Sequence, residues 1–163
     1  MPTHHTPESI VIADTPAAIL EWAARHIEHV GIHQGPRLFD GPGRTATLPC
    51  WPRGALQVAA GHGRGAAGHG RGAAGHGRGA AGHGRGAAGR TYDWDRIDRA
   101  RDQAFAILAE TLAGHPVQAD DPTTAKALHR DVIDRWSAEP GRTAADAARA
   151  FRTAAARAEH ALF

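Results

Sequence analysis

Four identical copies of Gly-His-Gly-Arg-Gly-Ala-Ala run without a break through residues 61–88. That tract limits what the chain can fold into. Three of every seven positions are glycine, so ordering it costs more backbone entropy than other sequences of its length. Its only apolar side chains are alanines, and no position holds a residue large enough for the seam of a coiled coil. A disordered, flexible insert is therefore expected at 61–88, with residues 1–60 and 89–163 forming a single domain.

Subtracting the tract changes the bulk numbers. The chain of 163 residues has a formal net charge of +2 and a sequence pI near 9.3. That +2 is the balance of +4 in the tract and −2 in the remainder, so no basic domain follows from the total. The remaining body is long enough for one core without covalent staples. Cys50 is the only cysteine, which rules out an intramolecular disulfide and suggests a reducing compartment. The first twelve residues lack a basic stretch followed by an apolar run, and no segment nears the ~20 apolar residues of a membrane span. A cytoplasmic protein with no membrane association is expected. Arginine outnumbers lysine 18 to 1, a bias of GC-rich genomes.

The periodicity predicts a mainly α fold of about five helices with one small β-hairpin. The first helix opens at Thr15-Pro16, a cap followed by proline at the first helical position, and stops at Gly31. Ile19, Leu20, Ala23, Ile27 and Val30 share one face. Residues 9–13, with Ile10-Val11-Ile12, read as a short strand or arm on the core. Arg37-Leu38-Phe39 and Thr45-Ala46-Thr47-Leu48 flank a turn-rich Asp40-Gly41-Pro42-Gly43, which predicts the hairpin. Pro52 starts a short helix that ends at the tract. Thr91 or Asp93 caps a long third helix stopped by Gly114. Asp121-Pro122 opens a fourth, with Ala125, Leu128, Val132, Ile133 and Trp136 expected to face inward. Thr143 with Asp146 resembles a capping box for the fifth. Its inner face should carry Ala147, Phe151, Ala154, Ala158 and Leu162.

Candidate sites are few. Arg64, Arg71, Arg78 and Arg85 in their glycine context resemble arginine–glycine segments that bind single-stranded nucleic acid, although no aromatic residue is interleaved for stacking. The plainer reading is tandem duplication at a surface loop that tolerates insertion. His26, His29 and His33 fall at i, i+3 and i+7, a spacing that aligns three imidazoles for zinc or nickel if the helix continues past Gly31. Cys50 is a conceivable fourth ligand; its other reading is a packed thiol near a helix start. His129 and Arg101 each lie in an otherwise apolar arc, and Arg101 is expected to pair with an acid on a neighbouring helix, with Asp131, Asp134 or Asp98 as candidates and anion binding as the other reading. Arg142, Arg149, Arg152 and His160 form a mildly basic stripe. No phosphate loop, dinucleotide fingerprint or nucleophile elbow is present, and no cofactor is expected.

Two segments carry a resemblance. Cys50-Trp51-Pro52-Arg53-Gly54-Ala55-Leu56 resembles a Cys-x-x-x-Gly-Ala-Leu helix start. Trp136-Ser137-Ala138-Glu139-Pro140-Gly141-Arg142-Thr143 resembles a Trp-x-x-x-Pro-Gly-Arg-Thr turn before a final helix, with Ser137-Ala138 in place of an Asn-Asp pair. With Gln34-Gly35, the chain is similar to an uncharacterised family of small actinomycete and phage proteins. The resemblance implies a small helical cytoplasmic protein without known activity. A non-enzymatic binding or regulatory module with a protein partner, in a phage–host setting, is the leading expectation. Nucleic-acid association through the tract is the first alternative, and weak metal binding through His26 and His29 the second.

Overall fold

The computed structural model describes residues 13–41, 47–61, 83–85 and 91–161. Five helices follow one another: α1 (Pro16–Val30), α2 (Pro52–Ala59), α3 (Trp94–Ala113), α4 (Pro122–Ala138) and α5 (Ala144–His160). Between α2 and α3, β1 (His83–Arg85) pairs antiparallel with β2 (Thr91–Asp93), with His83 opposite Asp93. The rest of the tract, apart from Gly61, lies outside the described residues, as do the Ile10-Val11-Ile12 arm and Leu162.

Local chemistry sets the helix ends. The Thr15 side chain accepts from the Ala18 amide, Asp93 from Arg96, and Asp121 from Thr123 and Thr124. Each satisfies amide donors that the first turn leaves without an intrahelical acceptor. Thr143 and Asp146 form a full capping box. Gly31 ends α1 at φ 88°, and Gly114 ends α3 in the left-handed region at φ 74°.

The core lies between α1 and α5, the most extensive helix pair, and is closed by α2 and α3. Ala147, Ala148, Ala154, Ala155 and Ala158 bury small surfaces on α5 around Phe151. Small residues let the α1 backbone approach closely, where Ile19, Leu20, Ala23, Ala24 and Ile27 are fully buried. Arg152 then fastens the outside of this pair, donating to both carboxylate oxygens of Glu28 at 2.7 and 2.6 Å. Phe105 of α3 is also buried in the core.

Of the residues expected on the inner face of α4, Ile133 is fully buried and Val132 and Trp136 pack against the core, while Ala125 is half-buried. His129, Ile133 and Ser137 are the buried residues of the helix, whereas Leu128 is 36% exposed. Both polar side chains bring their own hydrogen-bond partners. A His129 ring nitrogen lies 3.0 Å from the Val117 carbonyl, and Ser137 donates to the Ile133 carbonyl at 2.7 Å. Satisfied polar groups can be buried at low cost, so the helix is turned by part of a step relative to its hydrophobic pattern.

The expected hairpin is not shown, and residues 38–40 are joined to 49–51 by isolated bridging instead. Asp40 donates to the Pro49 carbonyl and Trp51 to that of Leu38, both at 2.9 Å, around an antiparallel bridge of Phe39 with Cys50. This pairing lies at residues 49–51, beyond the Thr45-Ala46-Thr47-Leu48 arm. Thr45 and Ala46 are outside the described residues.

Candidate functional site

Three separated segments meet beside α4: the connector after α1, the start of α2 and the α4–α5 turn. Cys50 is the centre of the first contact. Its amide donates to the Gly31 carbonyl and its carbonyl accepts from the His33 amide, each at 3.2 Å. With the Phe39 bridge on its other side, the residue is held between two backbone strands. Its side chain is fully buried, and desolvation pushes the thiol pKa up to about 12. A thiol in that state supplies almost no nucleophilic thiolate near neutral pH.

Gly54, one helical turn on, explains the Cys-x-x-x-Gly spacing. A Cβ there would stand 3.0 Å from the Leu38 carbonyl oxygen, 3.1 Å from Cys50 Cβ and 3.2 Å from Phe39 Cε1. Ala55 and Leu56 follow, both fully buried.

The third segment is joined by side chains. Gln34 Nε2 donates to the Ser137 carbonyl at 3.3 Å and the Glu139 carbonyl at 3.0 Å, acceptors that the end of a helix leaves open. The Arg142 guanidinium lies 4.3 Å from the Trp136 ring centre and pairs with Glu139. Arg142 Nε also reaches the Trp136 carbonyl at 3.4 Å. Gly141, at φ 83°, makes the reversal before Thr143. Arg53 of α2 lies 3.3 Å from Asp134 of α4 through Nε and Oδ1. Neither atom has hydrogen-bonding geometry, and Trp51 Nε1 is likewise buried without a hydrogen bond. Burial raises the Asp134 pKa above its ordinary value; Arg53 opposes that rise and Asp131 adds to it.

The histidines do not converge. His26 is fully buried and stacks on Trp22 with ring centres 5.0 Å apart. His29 is exposed near the end of α1. His33 lies beyond Gly31, where the helix has stopped, and approaches Asp40 at 3.9 Å. Among the described residues no group of three or more His, Cys, Asp or Glu is arranged to hold a metal. The i, i+3, i+7 spacing does not align the three imidazoles, because α1 stops at Gly31 and the condition for the triad is not met.

Arg101 pairs with Asp98, one of the three acids expected, at 3.1 Å and with Asp102 at 3.2 Å, both on its own helix rather than a neighbouring one, and Asp102 in turn binds Lys126 of α4 at 2.7 Å. A side chain on a helix surface meets its own neighbours first, three and four positions away. The basic stripe of α5 is matched by acids: Arg142 by Glu139, Arg149 by Asp146 and Arg152 by Glu28. Arg64, Arg71 and Arg78 lie outside the described residues, and only the backbone of Arg85 is described, in β1. Cys50 is fully buried and Trp136 packs half-buried against the core. Spacing alone did not reveal the Gln34 cap or the Arg53–Asp134 pair; an isolated glutamine beside a helix stop was the only trace of the former.

Residues 12–157 match the model of a family described as "Family of unknown function (DUF6197)". No curated protein and no solved structure matches the chain.

Proposed function

We propose that this chain, which belongs to the DUF6197 family of unknown function, is a small non-enzymatic binding or regulatory module. The observation that carries this reading is the use made of its signature segments. Gln34 closes the α4 terminus, Cys50 packs between two strands, Gly54 admits their approach, and Trp136, Glu139, Arg142 and Thr143 build the turn into α5. The residues that carry the resemblance here hold helices together, which suits a scaffold whose outer surfaces meet a partner. The lone cysteine, Arg-rich composition and motif resemblance support a cytoplasmic setting in an actinomycete or its phages. The tract between α2 and α3 is then an insert tolerated at the surface.

Native-state labelling with iodoacetamide at pH 7, followed by mass spectrometry, tests the non-enzymatic reading. Cys50 should react only on unfolding. Rapid labelling of folded protein would identify an activated thiol and overturn the assignment.

A second reading rests on the four acid-free Gly-Arg-Gly sites of the tract, which suit single-stranded nucleic acid. If all four arginines meet phosphates, binding followed by fluorescence anisotropy should weaken with a log–log salt slope of about −3. Deleting residues 61–88 should abolish it. Equal binding by the deletion variant would remove the tract from consideration.

A further inference from the structure

Turning α4 so that His129, Ile133 and Ser137 face the core leaves part of its apolar pattern on the outside. Leu128 is the only large hydrophobic residue exposed among the described residues. Ala125, half-buried, stands three residues before it, and Val132, four after, is half-buried and packs against the core at the edge of this face. Asp121 and Arg135 lie seven residues before and after Leu128. At the helical rise each sits about 10 Å from the centre, one toward each end. We propose that this flank is a homodimer surface, on which α4 meets α4 of a second copy antiparallel about a two-fold axis at Leu128.

Charge complementarity selects that occupant. A face with an acid at one end, a guanidinium at the other and leucine between is complementary to itself only when reversed. Parallel pairing would put Arg135 beside its own copy. Antiparallel pairing sets Arg135 against the partner's Asp121 twice, Val132 against the partner's Thr124 twice, and Leu128 against itself. Such an interface is isologous, the commonest form among homo-oligomers.

Both charged ends can take part. Arg135 pairs with Asp131 at 2.8 Å, with side chains 71% and 56% exposed, and an exposed pair of this kind exchanges partners at little cost. Asp121 caps α4 through Oδ1, which accepts from the Thr123 and Thr124 amides. A carboxylate has about four acceptor sites, so the cap leaves room for a guanidinium. The opposite flank of α4 is occupied, with Asp134 against Arg53 and Lys126 against Asp102. One helix face about 25 Å long is smaller than the roughly 800 Å² per partner of a standard interface. The association is therefore weak and concentration-dependent.

The two-fold axis gives a direct test in the full chain. Helix axes 8–10 Å apart put facing Cα atoms roughly 3.5–5.5 Å apart, which overlaps disulfide reach. Leu128→Cys should form a disulfide-linked dimer under mild oxidation, whereas Arg130→Cys, on the opposite side of α4, should not. Buried Cys50 serves as the internal control. In sedimentation equilibrium, the wild type should shift from monomer to dimer with concentration. Arg135→Glu should weaken the dimer about tenfold, since two symmetric pairs are lost, and Leu128→Asp should abolish it. A wild type that stays monomeric to millimolar concentration, equal cross-linking by Arg130→Cys, or a dimer that survives Leu128→Asp would each overturn the proposal. A heterologous partner on this flank would give the first of those results.

Discussion

Deleting residues 61–88 should leave the fold intact and raise its stability. Ala60, at the end of α2, is fully buried and packs with Ile97 and Trp94 at the start of α3. The two ends of the insert therefore leave the body close together, and the four residues 89–92 that remain can join them. Shortening the connection from the 32 residues 61–92 to four reduces loop-closure entropy by (3/2)RT ln 8, or about 2 kcal/mol as an upper figure. The deletion removes the pairing of β1 with β2, three residues long and glycine-containing, which offsets some of this gain. Urea denaturation followed by circular dichroism would measure the difference, provided both proteins unfold in one transition. A gain of roughly 0–2 kcal/mol is expected. A loss beyond ~1 kcal/mol would mean that the tract packs on the body, and the reading of 61–88 as an insert would fail.

Gly54→Ala tests the close approach at the Cys50 junction by its sign. Helix propensity alone favours alanine by about 1 kcal/mol, but contacts of 3.0 Å to a carbonyl and 3.1 Å to Cys50 Cβ should cost about 1–3 kcal/mol by overpacking. A net loss of melting temperature is expected, and a rise would disprove the tight packing. Two carboxylates should give pH dependences of opposite direction. Hydrogen bonds from Arg152 hold Glu28 below its ordinary pKa, so its contribution is present above the ordinary carboxylate range and is lost as pH falls through the lowered value. Glu28→Gln should lower stability at pH 7 and flatten the acid limb of a melting-temperature profile; an unchanged profile would refute the coupling. Burial raises Asp134, so its contribution is complete below the ordinary value and declines as pH rises through the raised one. The advantage of wild type over Asp134→Asn should therefore shrink from pH 4 to pH 7, and growth across that range would contradict the assigned cause.

The helices were legible because their ends are written locally. Thr15-Pro16, Asp121-Pro122, Thr143 with Asp146, and Gly114 each act within a few residues, and all of them cap or stop a helix as the sequence implies. The face of α4 was legible in part: Ile133 is buried and Val132 and Trp136 pack against the core as expected, but Leu128 is exposed. Its buried side also includes His129 and Ser137, whose acceptability in a core depends on the Val117 and Ile133 carbonyls. Periodicity put His129 in the apolar arc but could not name the carbonyl that satisfies it. The junction was still harder to read, since Gln34 and Glu139 are 105 positions apart and no spacing rule links a glutamine to a distant helix end. The Arg101 pair was legible in part: Asp98 was among the expected partners, but the neighbouring helix was favoured over its own and Asp102 was not named.

These contrasts bear on where specificity can reside. Gln34, Cys50, Gly54, Trp136 and Arg142 are each engaged by backbone carbonyls, neighbouring strands or a facing ring. Changing any of them alters stability before it alters recognition. Arg149 and Arg152 are likewise matched by acids, which weakens the case for a polyanion on the last helix. The exposed flank of α4 is different. Its Leu128 is 36% exposed and is not a member of the buried core cluster, and Arg135 is held by an exposed pair that contributes little. Substitutions there should leave folding nearly unchanged and alter association instead. That separation, between residues whose replacement melts the body and residues whose replacement only parts two copies, is the physical distinction between framework and interface in this chain.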